Sequence, residues 1–107
     1  MAKNIRRSNT HRRERARAIV RSWGRPCAIC GLPIDYSLPY YDRWAYECDE
    51  IVPVSRGGSP TDVANLQPAH RLCNEWRSNH SMEWVRVHIA DNPARRARVA
   101  PRPSTDW

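Results

Sequence analysis

Apolar residues Ala16, Ile19, Val20 and Trp23 recur at i, i+3, i+4 and i+7, one stripe along a helix. That spacing predicts a helix from about Thr10 to Trp23, with Ser8, Asn9 or Thr10 as its cap and Gly24 as its end. Arg12, Arg13, Arg15, Arg17 and Arg21 cover the other faces, as a solvated surface, a phosphate-tracking surface, or both. Residues 1–9 lack a pattern and read as a flexible basic arm. Tyr46 to Val54 reads as a strand ending at Pro53, and Leu66-Gln67-Pro68 as a short second strand. Between them Gly57-Gly58, Ser59-Pro60 and Asp62 are turn residues, so residues 55–65 read as a loop. A short helix is expected from His70 to about Asn79. From Met82 to Ala90 the apolar positions fit both a strand and a helix, and the reading adopted is a helix capped by Ser81. Residues 32–45, with Pro33, Pro39 and three of the four tyrosines, read as irregular. Residues 91–107 hold three prolines and four arginines without an apolar period and read as a mobile basic tail. The chain thus divides into a basic arm and helix (1–24), a central core (25–80), and a C-terminal helix or strand with its tail (81–107).

At 107 residues the chain is long enough for one small domain. With 40% hydrophobic and 27% charged residues its core is thin, and a metal, a disulfide or a partner is expected to share the stabilising. No apolar run is long enough to span a membrane. The N-terminus carries charges where a signal peptide needs apolar residues, which predicts a cytoplasmic location. Eighteen basic against 11 acidic residues give a net charge of +7, and 17 of the basic residues are arginine. Guanidinium groups bind phosphate bidentately and stack on bases, so the excess suits a nucleic-acid partner. A GC-rich genome would produce the same excess without function.

Four cysteines, Cys27, Cys30, Cys48 and Cys73, allow a disulfide framework or a metal site, and a reducing cytosol favours metal. Cys27-x-x-Cys30, backed by Gly31, is matched by His70-x-x-Cys73 about 40 residues later. Two N/S pairs at the same spacing give four ligands for a closed tetrahedral Zn²⁺ site, a staple of the kind a small core needs. The alternatives are a Cys27–Cys30 disulfide and His70 as an ordinary surface histidine. Cys48 lies on the first strand, away from both pairs, and reads as a small buried hydrophobe.

Between the pairs runs Glu47-Cys48-Asp49-Glu50-Ile51-Val52-Pro53-Val54-Ser55-Arg56-Gly57-Gly58, followed by Asn65-Leu66-Gln67 and His70-Arg71-Leu72-Cys73-Asn74. This order resembles the zinc-containing branch of the HNH endonucleases, the ββα-metal nucleases, over Cys27 to about Asn79. The compact, arginine-rich setting is similar to HNH proteins of bacteriophages, often encoded near DNA-packaging genes. The resemblance implies an α+β fold: a single small domain with a ββα-metal core stapled by structural zinc and preceded by a basic helix. It implies metal-dependent hydrolysis of DNA phosphodiester bonds, as an endonuclease or nickase, leaving 5′-phosphate and 3′-hydroxyl ends. Position by position, Asp49 matches the ligand of the catalytic Mg²⁺ or Mn²⁺, Asn65 the residue that orders the loop, and Asn74 a second metal contact on the helix. Arg77 falls one turn further, where a basic residue can meet a phosphate; Arg71, Arg56, Arg12, Arg13 and Arg17 are the other candidate DNA contacts. Cys27, Cys30, His70 and Cys73 match the structural zinc ligands.

Two departures stand out. His70 replaces the usual third cysteine, which zinc tolerates. Glu50 stands where the family's first histidine, the general base, is expected. A carboxylate is a weaker base than imidazole near neutrality. Glu50 is therefore a base, an added metal ligand, or a sign of lost catalysis. His80, at the end of the predicted helix, is the reserve base. On local sequence alone Asp49-Glu50 would also pass for surface acids balancing the arginines. The competing functions are a zinc-knuckle nucleic-acid-binding protein without catalysis and an accessory docked on a phage terminase.

Overall fold

The computed structural model describes residues 2–99, with side chains from Asn9 to Ala97. It is α+β: helix α1 (Ala2–Ser22), a two-stranded antiparallel sheet of β1 (Tyr46–Glu50) and β2 (Leu66–His70), then α2 (Arg71–Arg77), α3 (Met82–Val87) and α4 (Pro93–Val99). Two 3₁₀ turns, Val54–Arg56 and Val63–Asn65, lie in the loop joining the strands.

Helix α1 starts at Ala2 rather than Thr10, so the backbone of the expected arm is helical. Neither Gly nor Pro interrupts residues 2–22, and Ala, Arg and Lys propagate a helix well. It stops as predicted at Gly24, whose φ of 61° suits glycine. Ala16 and Val20 are buried and pack on Leu66, with Trp23 half-buried beside them. Ile19 is 39% exposed, so the apolar stripe is narrower than its spacing suggested. The Tyr46 hydroxyl donates to the Arg17 carbonyl (2.8 Å) and ties α1 to β1.

The strands pair from Tyr46↔His70 to Glu50↔Leu66. β1 ends at Glu50 instead of Pro53. Beyond Glu50 the Ile51 amide bonds the Asn65 carbonyl (2.8 Å), and the Val52 amide goes to the Asn65 side chain (2.9 Å). One bulky set of residues, Cys27, Ile29, Cys30, Ile34, Ala69, Leu72, Cys73, Val85 and Ala94, forms the main core around the two Cys/His pairs.

α2 is shorter than expected, ending at Arg77, with Ser78 at a positive φ of 53°. α3 has the predicted cap: the Ser81 side chain accepts from the Trp84 amide. The mobile tail predicted from residue 91 is corrected. Asn92, fully buried, accepts from the Ala94 (2.9 Å) and Arg95 (3.0 Å) amides through Oδ1 and opens α4 at Pro93. Asparagine as cap with proline at the first helical position is a strong helix start. Residues 100–107 of that tail lie outside the described residues. No helix among the described residues is long and apolar enough to cross a membrane.

Candidate active site and metal centre

The ligand atoms of Cys27, Cys30, His70 and Cys73 lie within 4.8 Å of one another, and all four residues are buried. The Cys27–Cys30 turn closes through the Gly31 amide to the Cys27 carbonyl (2.8 Å), with Gly31 at φ 81°. Backbone amides aim at the sulfurs: Cys30 N (3.5 Å) and His70 N (3.3 Å) at Cys27 Sγ, and Leu32 N at Cys30 Sγ (3.4 Å). Such donors favour thiolate over thiol. His70 turns Nδ1 toward Cys30 Sγ (3.3 Å) and Cys73 Sγ (3.8 Å), while Nε2 lies 2.9 Å from the Pro33 carbonyl. With Nε2–H donating to Pro33, Nδ1 is left as the ligand nitrogen, the outer-shell arrangement common for metal-bound histidine. The Asn92 amide donates to Cys73 Sγ (3.6 Å) and Arg95 to the Cys30 carbonyl (3.1 Å), so α4 buttresses the cluster.

Hydrogen bonds from Cys30 and Cys73 hold the Cys27 thiol well below its ordinary range. Burial opposes a charged His70, yet the bonds to Cys27 and Cys30 push it up to about 10. Bonds to Cys27 and Cys30 push Cys73 up. Three sulfurs and one imidazole nitrogen, once they shed their protons, form in this buried cluster a donor set that fits Zn²⁺. Cys48, half-buried against α1, stands apart from this set.

The faces of β1 separate the expected catalytic residues. Glu47 and Asp49 face α2. The Asn74 amide donates to Glu47 Oε1 (2.6 Å), and Asp49 Oδ2 accepts from Gln67 (2.8 Å) and from Arg77 (2.6 Å). Among the described residues both bonds to Asp49 fall on Oδ2, so Oδ1 is its remaining acceptor. Burial pushes the Asp49 carboxyl above its ordinary value against the pull of Gln67 and Arg77.

Arg77 is not available to a phosphate. It is 0% exposed, and its donors go to Asp49, the Glu50 and Ile51 carbonyls, and the His80 carbonyl (2.9 Å). It locks the end of β1 to the end of α2. The sequence offered no sign of this, because Asp49 and two of the three carbonyls that hold the guanidinium lie 26 to 28 residues upstream.

Glu50 lies on the opposite face, toward α1. It lines a groove of about 130 Å³ with Arg13, Arg17, Cys48, Pro60 and Leu66. Its Oε1 accepts from the Val54 amide (3.1 Å), which steadies the side chain at the loop's mouth. Asn65 ends the second 3₁₀ turn of the loop. Its side chain donates to the Val52 (3.0 Å) and Ser59 (2.8 Å) carbonyls and accepts from the Val52 amide, clamping the loop behind Glu50. Gly58 lets the chain close here: a Cβ would fall 1.7 Å from the Val52 carbonyl oxygen.

Of the other candidate contacts, Arg12, Arg13 and Arg17 are exposed on α1. Arg71 is held by Glu75 (3.1 Å) and the Tyr41 carbonyl (2.9 Å), and Arg56 by the Asn79 carbonyl (3.0 Å). The His80 ring stacks on Trp84 (3.9 Å between centroids, 12°), and His88 covers Trp84 as well (4.5 Å). Trp76 packs on Trp84, and Trp44 meets His70 edge-on. Glu47 and Gln67 escaped the sequence reading. For Glu47 the signal was its place two residues before Asp49 on a predicted strand.

Comparison with curated proteins and with solved structures finds no match. A family model described as HNH endonuclease matches residues 27–80, from the first zinc-type ligand to the histidine after α2. Because that match spans just over half of the 107 residues, the chain belongs to the HNH endonuclease family, whose members are nucleases acting on nucleic acid.

Proposed function

We propose that the chain is a divalent-metal-dependent DNA endonuclease or nickase that hydrolyses phosphodiester bonds at the groove Glu50 lines. The observation that carries this reading is the company Glu50 keeps: one carboxylate in an open groove with Arg13 and Arg17, at the mouth of a loop clamped by Asn65. The two guanidinium groups hold and neutralise the phosphate. Glu50, steadied by the Val54 amide, takes the proton from an in-line water. Zinc at Cys27, Cys30, His70 and Cys73 fixes β2 and α2 and takes no part in the chemistry.

The residues suited to the catalytic ion offer oxygen alone: Asp49 Oδ1, the Asn74 carbonyl and neighbouring Glu47, a set for Mg²⁺ or Mn²⁺. When bound, such an ion would stabilise charge on the phosphate and on the leaving oxygen of a strand lying across the end of β1, between this face and the Glu50 groove. Arg77 already neutralises Asp49, so on this face Glu47 supplies the negative charge left to attract a cation. That same ion pair favours the second reading, a zinc-stapled DNA-binding protein without catalysis, acting alone or as an accessory of DNA packaging. Nicking of a supercoiled plasmid separates the readings. Zinc-loaded protein is assayed with Mg²⁺, with Mn²⁺ and with neither. Chelators are avoided because they strip zinc. Nicking only with a divalent ion present supports the proposal, and no nicking under any condition leaves the binding reading.

A further inference from the structure

A second groove, of about 360 Å³, runs along α1 on the other side of Arg17. Its walls include Glu14, Arg17, Arg21, Tyr36, Tyr40 and Tyr46. The volume is within the range of about 300–1,000 Å³ typical of small-ligand sites. Arg17 lines this groove and the Glu50 groove alike, so the two adjoin through one side chain. Arg13, Arg17 and Arg21 succeed one another at i, i+4 and i+8 on one helix face, each step rising ~6 Å. That is the scale of one nucleotide step along an extended strand.

The groove's chemistry is aromatic and cationic. The Tyr36 and Tyr46 rings lean together (5.3 Å between centroids), and their hydroxyls are spent on the Arg25 (2.6 Å) and Arg17 (2.8 Å) carbonyls. What they present is ring surface. Tyr40 is 83% exposed, and among the described residues its ring meets Tyr41 edge-on (5.6 Å), which leaves a face of the ring open. The Arg21 guanidinium is set over Tyr36 (6.0 Å) and bonded to its carbonyl. Glu14 offers an acceptor suited to the exocyclic amino group of a base. Stacking surface for a base, guanidinium for a phosphate and one acceptor for a base edge form the combination that binds unpaired nucleotides.

We propose that this tyrosine groove is a subsite for one unpaired nucleotide of the substrate strand, next to the phosphate held at Glu50. The inference rests on the nuclease reading for its place beside the cleaved phosphate, but not for binding itself. A base paired in a duplex cannot enter the groove, so the protein prefers a strand with an unpaired nucleotide over a perfect duplex.

The test is fluorescence anisotropy with a labelled single-stranded DNA oligonucleotide and with a blunt duplex, using zinc-loaded protein without Mg²⁺ or Mn²⁺. Tyr40→Ala, at an exposed position, should weaken single-strand binding by roughly 5- to 100-fold and blunt-duplex binding by less than about twofold. Tyr40→Trp restores the stack and should bind the single strand at least as tightly as wild type. The proposal is overturned if Tyr40→Ala binds the single strand like wild type, or loses single strand and duplex equally. Because no cleavage is measured, a protein that never nicks a plasmid can still pass this test, and one that nicks can still fail it.

Discussion

The perturbation Arg77→Ala separates a structural lock from a phosphate contact. In the folded chain Arg77 is fully buried and holds Asp49 together with three backbone carbonyls, those of Glu50, Ile51 and His80. Removing one member of a buried ion pair costs about 3–5 kcal/mol, because the partner charge stays buried without compensation. The three carbonyl contacts are only part-buried, so water replaces the lost donors there and their loss adds little to that cost. Protonation of Asp49, already favoured by burial, relieves part of the charge cost. The expected loss is therefore about 4 kcal/mol, against a total stability of about 5–15 kcal/mol for a domain of this kind. Urea unfolding followed by tryptophan fluorescence, at one fixed free-zinc concentration, reads the difference. Arg77→Lys keeps the charge beside Asp49 but cannot span the three carbonyls, so it should fall between wild type and Arg77→Ala. A loss below about 1 kcal/mol, together with weakened DNA binding by the folded variant, would refute the reasoning and return Arg77 to the DNA interface.

Elemental analysis should give one zinc per chain, and strong chelation should unfold the protein, since little apolar area remains to hold it. Zinc retention should fall on acidification, because His70 and the three cysteines of the unfolded apo chain hold protons that compete with the metal, so affinity rises with pH through the ordinary histidine and cysteine ranges. Asn65→Ala removes the clamp on the 51–59 segment and should cost about 1–3 kcal/mol, with cleavage lowered more than DNA binding. DNA affinity of wild type should drop tenfold or more between about 50 and 200 mM salt, and Arg13→Ala with Arg17→Ala should flatten that dependence.

The ββα core and its Cys/His cluster were legible because their signals are local. Two pairs of ligands at equal spacing, a Gly-Gly turn and Asn65 before a short strand each restrict the chain within a few residues. Asn65 clamps the loop through partners close in sequence, Val52 and Ser59, which both lie in that loop. The role of Arg77 was not legible, because a lone arginine on a short helix has the prior of a surface residue and its cage is assembled by tertiary structure. The end of the chain was misread for a related reason. Residues 93–99 have no apolar stripe because their docking rests on Ala94, on Asn92 beneath Cys73, and on Arg95 over the Cys30 carbonyl. The local sign, Asn92 before Pro93, was present. Periodicity also overstated Ile19, since the sheet below α1 is two strands wide and, among the described side chains of that helix, buries Ala16 and Val20.

Asp49→Ala is a poor probe of catalysis, because it leaves the buried Arg77 guanidinium without its partner. Glu50 accepts one bond from the Val54 amide, and Gln in its place keeps size and acceptor while losing the ability to take a proton. The decisive measurement is the single-turnover nicking rate of Glu50→Gln against wild type, at equal zinc content and saturating Mn²⁺. The account predicts that wild type nicks and that Glu50→Gln is slower by about 10²–10⁴-fold, with DNA affinity and urea midpoint unchanged. A Glu50→Gln protein that nicks as fast as wild type would contradict it and move the search for the base to His80.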